Sequence, residues 1–447
     1  MKFRTAVLGL AFAFTVMADP VSSVAYAIEA ALRGLAGDLS SLLPTMGAVV
    51  AIIAVISATY HELIGRFPGG GGGPEGIASA FGEGWAFIPL GALLVDFTLT
   101  VAVSCAAGAS ALIAYLPPLE SYRTPIGLGL VALVAGVVLL GQGGRVVFAA
   151  ATVAFVVLSI CVIVAGVSAV PAPDSAVSHS AGGNPLLAGA GLASVLFAIP
   201  LGMALATGVE SPSNAIAQLP QLGDRARRRL GRLTLWLMVA IVGTLTICFT
   251  VLAVRLRIDI PPQDSTLIAE LAKRATGNSV LFTAFQAVSA LLLLAAAASS
   301  YLAGSGVLKA LATIGADGVG LVPSRFGRMN RFLIPEWGVG LVLAAAAMLI
   351  GASGREQRLV GFYAVAVFAS FLAATIACAR LSYRDHRWTA LILNVVAAVL
   401  VAAVLVINAS RVEGLVALLA SAAVATYLWR VWVARGRPRG VAGAGAQ

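Results

Sequence analysis

Long apolar runs alternate with short polar breaks along the whole chain, and the runs exceed what core helices of a soluble domain need. Twelve stand out, near residues 5–32, 42–62, 84–115, 125–141, 146–170, 186–219, 233–256, 278–311, 334–352, 359–380, 389–408 and 412–434. At about 1.5 Å of rise per residue, most can cross a hydrocarbon core of about 30 Å. The excess length of several predicts tilt or interruption. The pattern therefore predicts an all-α membrane protein of about 12 transmembrane helices. The longest polar stretches, 63–83, 171–185, 257–277 and 312–333, are no more than loops. Residues 1–435 thus read as one integral membrane domain, and the Gly/Ala-rich 436–447 as a short disordered cytoplasmic tail.

Two runs carry polar interruptions that an ordinary span would not. The first reads 18-ADPVSSVAYAIEA-30 and the sixth 206-ATGVESPSNAIAQ-218. Each sets a carboxylate (Asp19, Glu210), a proline (Pro20, Pro212) and serines (Ser22 and Ser23, Ser211 and Ser213) at one point of an apolar helix. An ionised carboxylate in hydrocarbon costs about 2.5–3.5 kcal/mol on insertion scales, so it is rarely there without a purpose. With a cytoplasmic N-terminus the two runs cross in opposite directions. Broken helices of opposite orientation, five spans apart, point to an inverted-repeat transporter with its site near the midplane. Pro20 is expected to open the backbone beside Asp19, since irregular backbone at that depth is tolerated where it lines a cavity.

The third run, 93-LLVDFTLTVAVSCAAG-108, places Asp96, Thr100 and Ser104 four residues apart on one helical face. Tyr363, in 359-LVGFYAVAVFASF-371, adds a phenolic oxygen, and no Lys or Arg stands in the middle of any run. Carboxylate and hydroxyl oxygens without a fixed positive partner suit a hard cation and suit an anion poorly. A carboxyl that exchanges a proton at that depth would couple cation movement to a proton gradient. Glu210, beside Pro212, is the candidate for that role. Glu29 reads as an interfacial charge near the end of the first run.

Composition sharpens the class. The chain is 60% hydrophobic and 11% charged, with mean hydropathy +0.98. A cytoplasmic N-terminus places 20 of the 29 Lys and Arg on the cytoplasmic side, which predicts a multi-pass cytoplasmic-membrane protein with both termini inside. The net charge of +10 then reflects topology and contact with anionic membrane lipid, not nucleic acid. Cys105, Cys161, Cys248 and Cys378 lack the short spacings of metal sites and read as packing residues. No nucleophile–base or metal constellation appears, so neither an enzyme nor a cofactor is expected. The basic start, Lys2 and Arg4, precedes a poor cleavage pattern, so the first run reads as a retained helix. The stretch 66-RFPGGGGGPEG-76 lacks the Lys-Ser/Thr of a phosphate-binding loop and reads as a sharp or flexible turn.

Five segments together resemble a known family: 19-DPVSSVAYAIEA-30, 67-FPGGGG-72, 93-LLVDFTLTVAVSCAAGASAL-112, 207-TGVESPSNAI-216 and 362-FYAVAVFASF-371. They resemble the amino acid–polyamine–organocation (APC) superfamily and, within it, the KUP potassium importers of the KimA type. The resemblance implies a LeuT-like five-plus-five inverted repeat, with helices 1 and 6 broken and two helices added. It implies proton-coupled potassium uptake, with K+ and H+ as transported species. It also implies a potassium site lined by Asp19, Tyr26, Asp96, Thr100, Ser104, Thr207, Glu210 and Tyr363, with Glu210 as the coupling carboxyl. The family usually has a small residue where Pro20 stands, and Tyr-Pro-Asn-Gly-Gly-Gly where this chain has Phe67-Pro68-Gly69-Gly70-Gly71-Gly72. These departures bear on local geometry and gating. The large cytoplasmic C-terminal domain of KimA-type proteins is not within these 447 residues, so regulation through it is not carried over.

The alternative is an amino acid or polyamine permease of the same superfamily. Many such permeases bind a substrate carboxylate on the bare amides of a Gly-rich break in span one. Here Asp19-Pro20-Val21-Ser22-Ser23 has no glycine, and Pro20 removes an amide. That argues against an α-carboxylate ligand but leaves a polyamine or another amine-bearing substrate open.

Overall fold

The computed structural model describes residues 2–141, 145–171, 191–219, 221–314 and 320–446. The first apolar run folds in three pieces, α1 (Lys2–Val16), α2 (Ala18–Ser22) and α3 (Val24–Gly34), jointed at Met17 and Ser23. Pro20 has no N–H for the carbonyl four residues back. Both joints nevertheless keep right-handed helical torsions (Met17 φ −80°, ψ −5°; Ser23 φ −66°, ψ −22°). The hydroxyls of Ser22 and Ser23 donate to the Asp19 and Pro20 carbonyls, each at 2.7 Å. The interruption is thus a jointed helix with its carbonyls occupied, tighter than the opened backbone expected around Pro20.

The following elements are α4 (Leu39–Arg66), α5 (Gly72–Phe81), α6 (Phe87–Tyr115), α7 (Arg123–Leu139) and α8 (Arg145–Val167). The sixth run divides more deeply. Its first helix, α9 (Leu192–Gly202), passes through a 3-10 turn at Met203–Ala206 and an irregular stretch 207–210 before α10 (Ser211–Ala215). Then come α11 (Asp224–Leu256), α12 (Leu267–Thr276), α13 (Val280–Thr313), α14 (Glu336–Ser353), α15 (Glu356–Arg384), α16 (Trp388–Ala409) and α17 (Val412–Ala434). Among the described residues there is no strand. Among the described residues eleven segments are long and apolar enough to cross a membrane, with Leu192–Gln218 counted as one. The twelfth expected span is the first run, whose longest piece has 15 residues.

Local chemistry sets several helix starts. Asp38 caps α4 by accepting from the Ser40 N–H at 3.0 Å, and Thr266 and Ser279 cap α12 and α13 in the same way. Side-chain bonds tie distant ends together. Arg66 pairs with Asp385 at 2.6 Å, and Arg232 Nε donates to the His61 carbonyl at 3.2 Å. The ends of α4 and α15 therefore lie with the start of α11, and Phe87 at the start of α6 shares an apolar cluster with Leu381 near the end of α15; we call this end of the bundle the basic end.

One large apolar cluster runs through the middle of the bundle, and a second, containing Phe87, Leu311 and Trp432, fills the basic end. Apolar side chains such as Val146, Met348 and Val399 stand 80%, 69% and 63% exposed, as on a surface made for lipid. The Gly/Ala-rich tail departs from the expected disorder. Val441, Ala442 and Ala444 are buried in the second cluster, and Ala442–Ala446 forms a 3-10 turn. The reason is a partner invisible in local composition: Glu83 accepts from the backbone N–H groups of Gly440 and Val441.

Candidate functional site

The two interrupted runs meet. Thr207 is extended (φ −57°, ψ 140°) and Gly208 is left-handed (φ +71°), which turns the chain out of α9 and into α10. A Cβ on Gly208 would lie 2.7 Å from Pro20 Cδ and 3.1 Å from an Asp19 carboxylate oxygen. Only glycine fits both that torsion and that approach. The stretch is fixed from below by Ser213, whose hydroxyl donates to the Glu210 carbonyl at 2.7 Å. From the joint between α2 and α3, the Ser23 hydroxyl also reaches the Leu205 carbonyl at 3.4 Å.

Around this contact the acidic residues converge. Asp19 and Glu210 line one cavity of about 340 Å³, with Asn214, Ser299, Ser300 and Phe97 in its wall. Asp96, on α6, lies within electrostatic reach of both Asp19 and Glu210. The Tyr26 hydroxyl sits beside the Thr207 hydroxyl and near Asp19 and Asp96. One face of α6 carries Asp96, Thr100 and Ser104, all buried. Seven of the eight site residues expected from sequence and resemblance thus lie on α2, α3, α6 and the break of span six. The eighth, Tyr363, is on α15, and its side chain lies outside the described residues.

The chemistry is in what these oxygens lack. One carboxylate oxygen each of Asp19, Asp96 and Glu210, and the Ser104 hydroxyl, are buried without a hydrogen-bond partner. A buried acceptor left unmade costs about 1–3 kcal/mol, more when charged, so three carboxylate oxygens in one region mark a place prepared for something. No Lys or Arg occurs in α2, α6, α9 or α10. Among the described residues no three His, Cys, Asp or Glu side chains are close enough to hold a metal ion by themselves. A cation here would be held by mixed carboxylate and hydroxyl oxygens.

Sequence reasoning missed Tyr60. It is fully buried on α4, its ring meets Phe371 edge-on at 5.7 Å, and its hydroxyl neighbours Ser370 and Glu210. The signal was the pair Ser57 and Tyr60, polar groups one turn apart in an apolar run. The glycine-rich loop also belongs here. Gly70, Gly71 and Gly72 all have positive φ (92°, 92° and 44°), and a Cβ on Gly72 would strike Asn214 Oδ1. The loop is a sharp turn seated on α10.

At the opposite end the reading of Glu29 is corrected. It is 2% exposed rather than interfacial, pairs with Arg33 at 2.8 Å, and accepts the Leu267 N–H at 2.9 Å. Arg33 in turn donates to the Pro261 carbonyl at 3.1 Å. The loop around α12 is thereby held over the end of α3, and Tyr26 beneath it is 2% exposed.

With the site in place, two comparisons bear on it. A sequence-family profile described as "Amino acid permease" matches residues 9–429. The potassium transporter KimA of Bacillus subtilis (strain 168) is 29% identical over 373 residues, 79% of this chain and 58% of that protein. The chain therefore spans less than two thirds of the length of that relative.

Proposed function

The chain belongs to the amino acid permease family of the APC superfamily and is a multi-pass membrane transporter, and from that premise we propose that it imports potassium together with protons. In this reading the fold is the five-plus-five inverted repeat, residues 1–435 form the transport domain, and the basic end faces the cytoplasm. The cation rests between Asp19 and Tyr26 of the first span, Asp96, Thr100 and Ser104 of the third, and Thr207 and Glu210 of the sixth, with Tyr363 completing the set from α15. These oxygens replace part of the ion's water shell. Glu210, lining the cavity beside Asn214, takes and releases the coupled proton.

The observation that carries the proposal is the convergence of three buried carboxylates, each with an unpartnered oxygen, on the junction of two broken helices. The test is uptake of labelled Rb+ by bacteria stripped of their own potassium importers, with and without a protonophore. We expect strong uptake that the protonophore, Asp19→Asn and Glu210→Gln each abolish. No Rb+ uptake from well-expressed protein would sink the potassium reading.

A second reading, an amino acid or polyamine permease, is favoured by the description of the family and by a cavity of about 340 Å³, roomier than a bare ion needs. Competition of polyamines and amino acids against labelled substrate separates the two. An amine cargo would use the same carboxylates.

A further inference from the structure

Residues 435–446 leave α17 and fold back into the basic end. Arg437 is left-handed (φ 60°) and its N–H bonds the Trp432 carbonyl at 2.9 Å. The Trp432 indole N–H donates to the Pro438 carbonyl at 2.8 Å. The chain then meets Glu83, whose two carboxylate oxygens accept the N–H groups of Gly440 at 3.0 Å and Val441 at 2.8 Å. Beyond this clamp, Val441, Ala442 and Ala444 join one apolar cluster with Ile77 and Ala80 of α5 and Leu311 of α13. Gly445 arrives over the glycine-rich turn, where a Cβ would stand 2.9 Å from Pro74 and 3.5 Å from the Gly71 carbonyl. Gly445 also lines the cavity that holds Asp19 and Glu210.

We propose that residues 440–445 are a strap that closes the basic-end mouth of the cavity, held by the Glu83 clamp and displaced when the cavity opens. The sequence suits that task. Gly440, Ala442, Gly443, Ala444 and Gly445 carry no side chain larger than a methyl, so they enter a mouth that a bulky residue would not. Their ordering costs backbone entropy, greatest at the glycines, so the closure is weak enough to be reversible. The hold is two hydrogen bonds to a charged group, backed by a few small buried side chains. The consequence for uptake rests on the transporter reading above. The closure itself concerns access to the cavity, whatever is carried.

The experiment reads access and uptake separately. Ala215, in the cavity wall, is replaced by cysteine, and a membrane-impermeant maleimide is applied from the basic-end side, with the chain lacking Ala215→Cys as background. Labelling should speed up at least about tenfold in Glu83→Ala, the equivalent of losing one charge-assisted hydrogen bond, and again on removal of residues 440–447. Glu83→Gln, which keeps one acceptor, should fall between. In a second arm, Pro74→Cys with Gly445→Cys forms a disulfide that slows labelling and stops Rb+ uptake until a reductant is added. Equal labelling rates in all forms, or full uptake by the locked protein, would overturn the strap. If labelling responds as expected while no form takes up Rb+, the strap stands and the potassium reading falls.

Discussion

Replacing Gly208 by alanine probes the contact on which the site is built. At φ +71° an L-residue is strained by about 1–2 kcal/mol. The new methyl would also lie 2.7 Å from Pro20 Cδ and 3.1 Å from an Asp19 oxygen, and forced overpacking of that kind costs about 1–3 kcal/mol. Together the penalty is about 2–5 kcal/mol, borne by the arrangement in which the two breaks touch. If the breaks separate during the transport cycle, that arrangement loses population by about 30-fold to several thousand-fold against its alternatives. The assay is paired: the thermal midpoint of purified protein at one scan rate, and initial uptake at matched expression. Gly69→Ala is the control, since no atom lies within 4 Å of the place its methyl would take and its backbone is not left-handed. We expect a lowered midpoint and severely reduced uptake for Gly208→Ala and neither for Gly69→Ala. Wild-type behaviour of Gly208→Ala would refute the claim that the two breaks meet.

Other positions give sharp outcomes. Glu62 accepts from Arg66, Ser382, Arg387 and Asn394, so Glu62→Ala strands several buried donors and should cost about 3–5 kcal/mol, read as a lower midpoint that Glu62→Gln restores in part. Glu29→Gln removes the charge that holds Arg33 and the Leu267 N–H; hydrogen exchange at Leu267 should accelerate while exchange within α16 does not change. Asp38→Ala should cost about 1 kcal/mol at neutral pH through the lost α4 cap. Partial burial raises the Asp38 carboxyl, but hydrogen bonds from Ser40 and Ser41 outweigh it and hold the group below its ordinary value of 3.8. A depressed carboxyl stabilises the fold above its unfolded value and stops doing so as pH falls through the folded one. The difference between wild type and Asp38→Ala should therefore persist at pH 5–7 and vanish in stronger acid, and a difference that grows on acidification would contradict the cap.

Much of the architecture is legible in the chain because hydrocarbon makes polar residues conspicuous. Asp19 with Pro20, and Glu210 with Pro212, stand out of their runs on polarity alone, and so does the Asp96 face. What stays hidden depends on partners far along the chain. Glu29 looks interfacial until Leu267, 238 residues away, brings its N–H to the carboxylate. Residues 440–446 look unfolded because Gly and Ala give no pattern, and their order comes from Glu83, 357 residues back from Gly440. Gly208 is one glycine among 48 until its torsion and its contact with Pro20 are seen. The joints at Met17 and Ser23 are unreadable for a different reason. Proline announces that a hydrogen bond is missing but not that the chain stays helical across it, with serine hydroxyls bonding the Asp19 and Pro20 carbonyls.

The buried acids of this bundle sort by what fills their oxygens. Glu62 is filled by Arg66 of its own helix and by Ser382 and Asn394 of neighbouring ones, Glu356 accepts from Ser110 of α6, and Glu29 accepts from Arg33 and a backbone N–H. Each is satisfied within the protein and asks for nothing else. Asp19, Asp96 and Glu210 each keep a buried oxygen with no donor, and they lie within reach of one another's field. Two carboxylates about 6 Å apart repel by about 3 kcal/mol at an effective dielectric constant of 20, so three ionised groups together disfavour the fold that holds them. Only positive charge relieves this, whether a proton, a metal cation or an ammonium group. A substrate that presents its own carboxylate to the same oxygens would add to the repulsion. That electrostatic argument favours a cation over an amino acid bound through its carboxylate. With three carboxyls in reach of one another, one can carry a proton while the others hold the ion, and occupation of both at once is what movement of the two in the same direction requires.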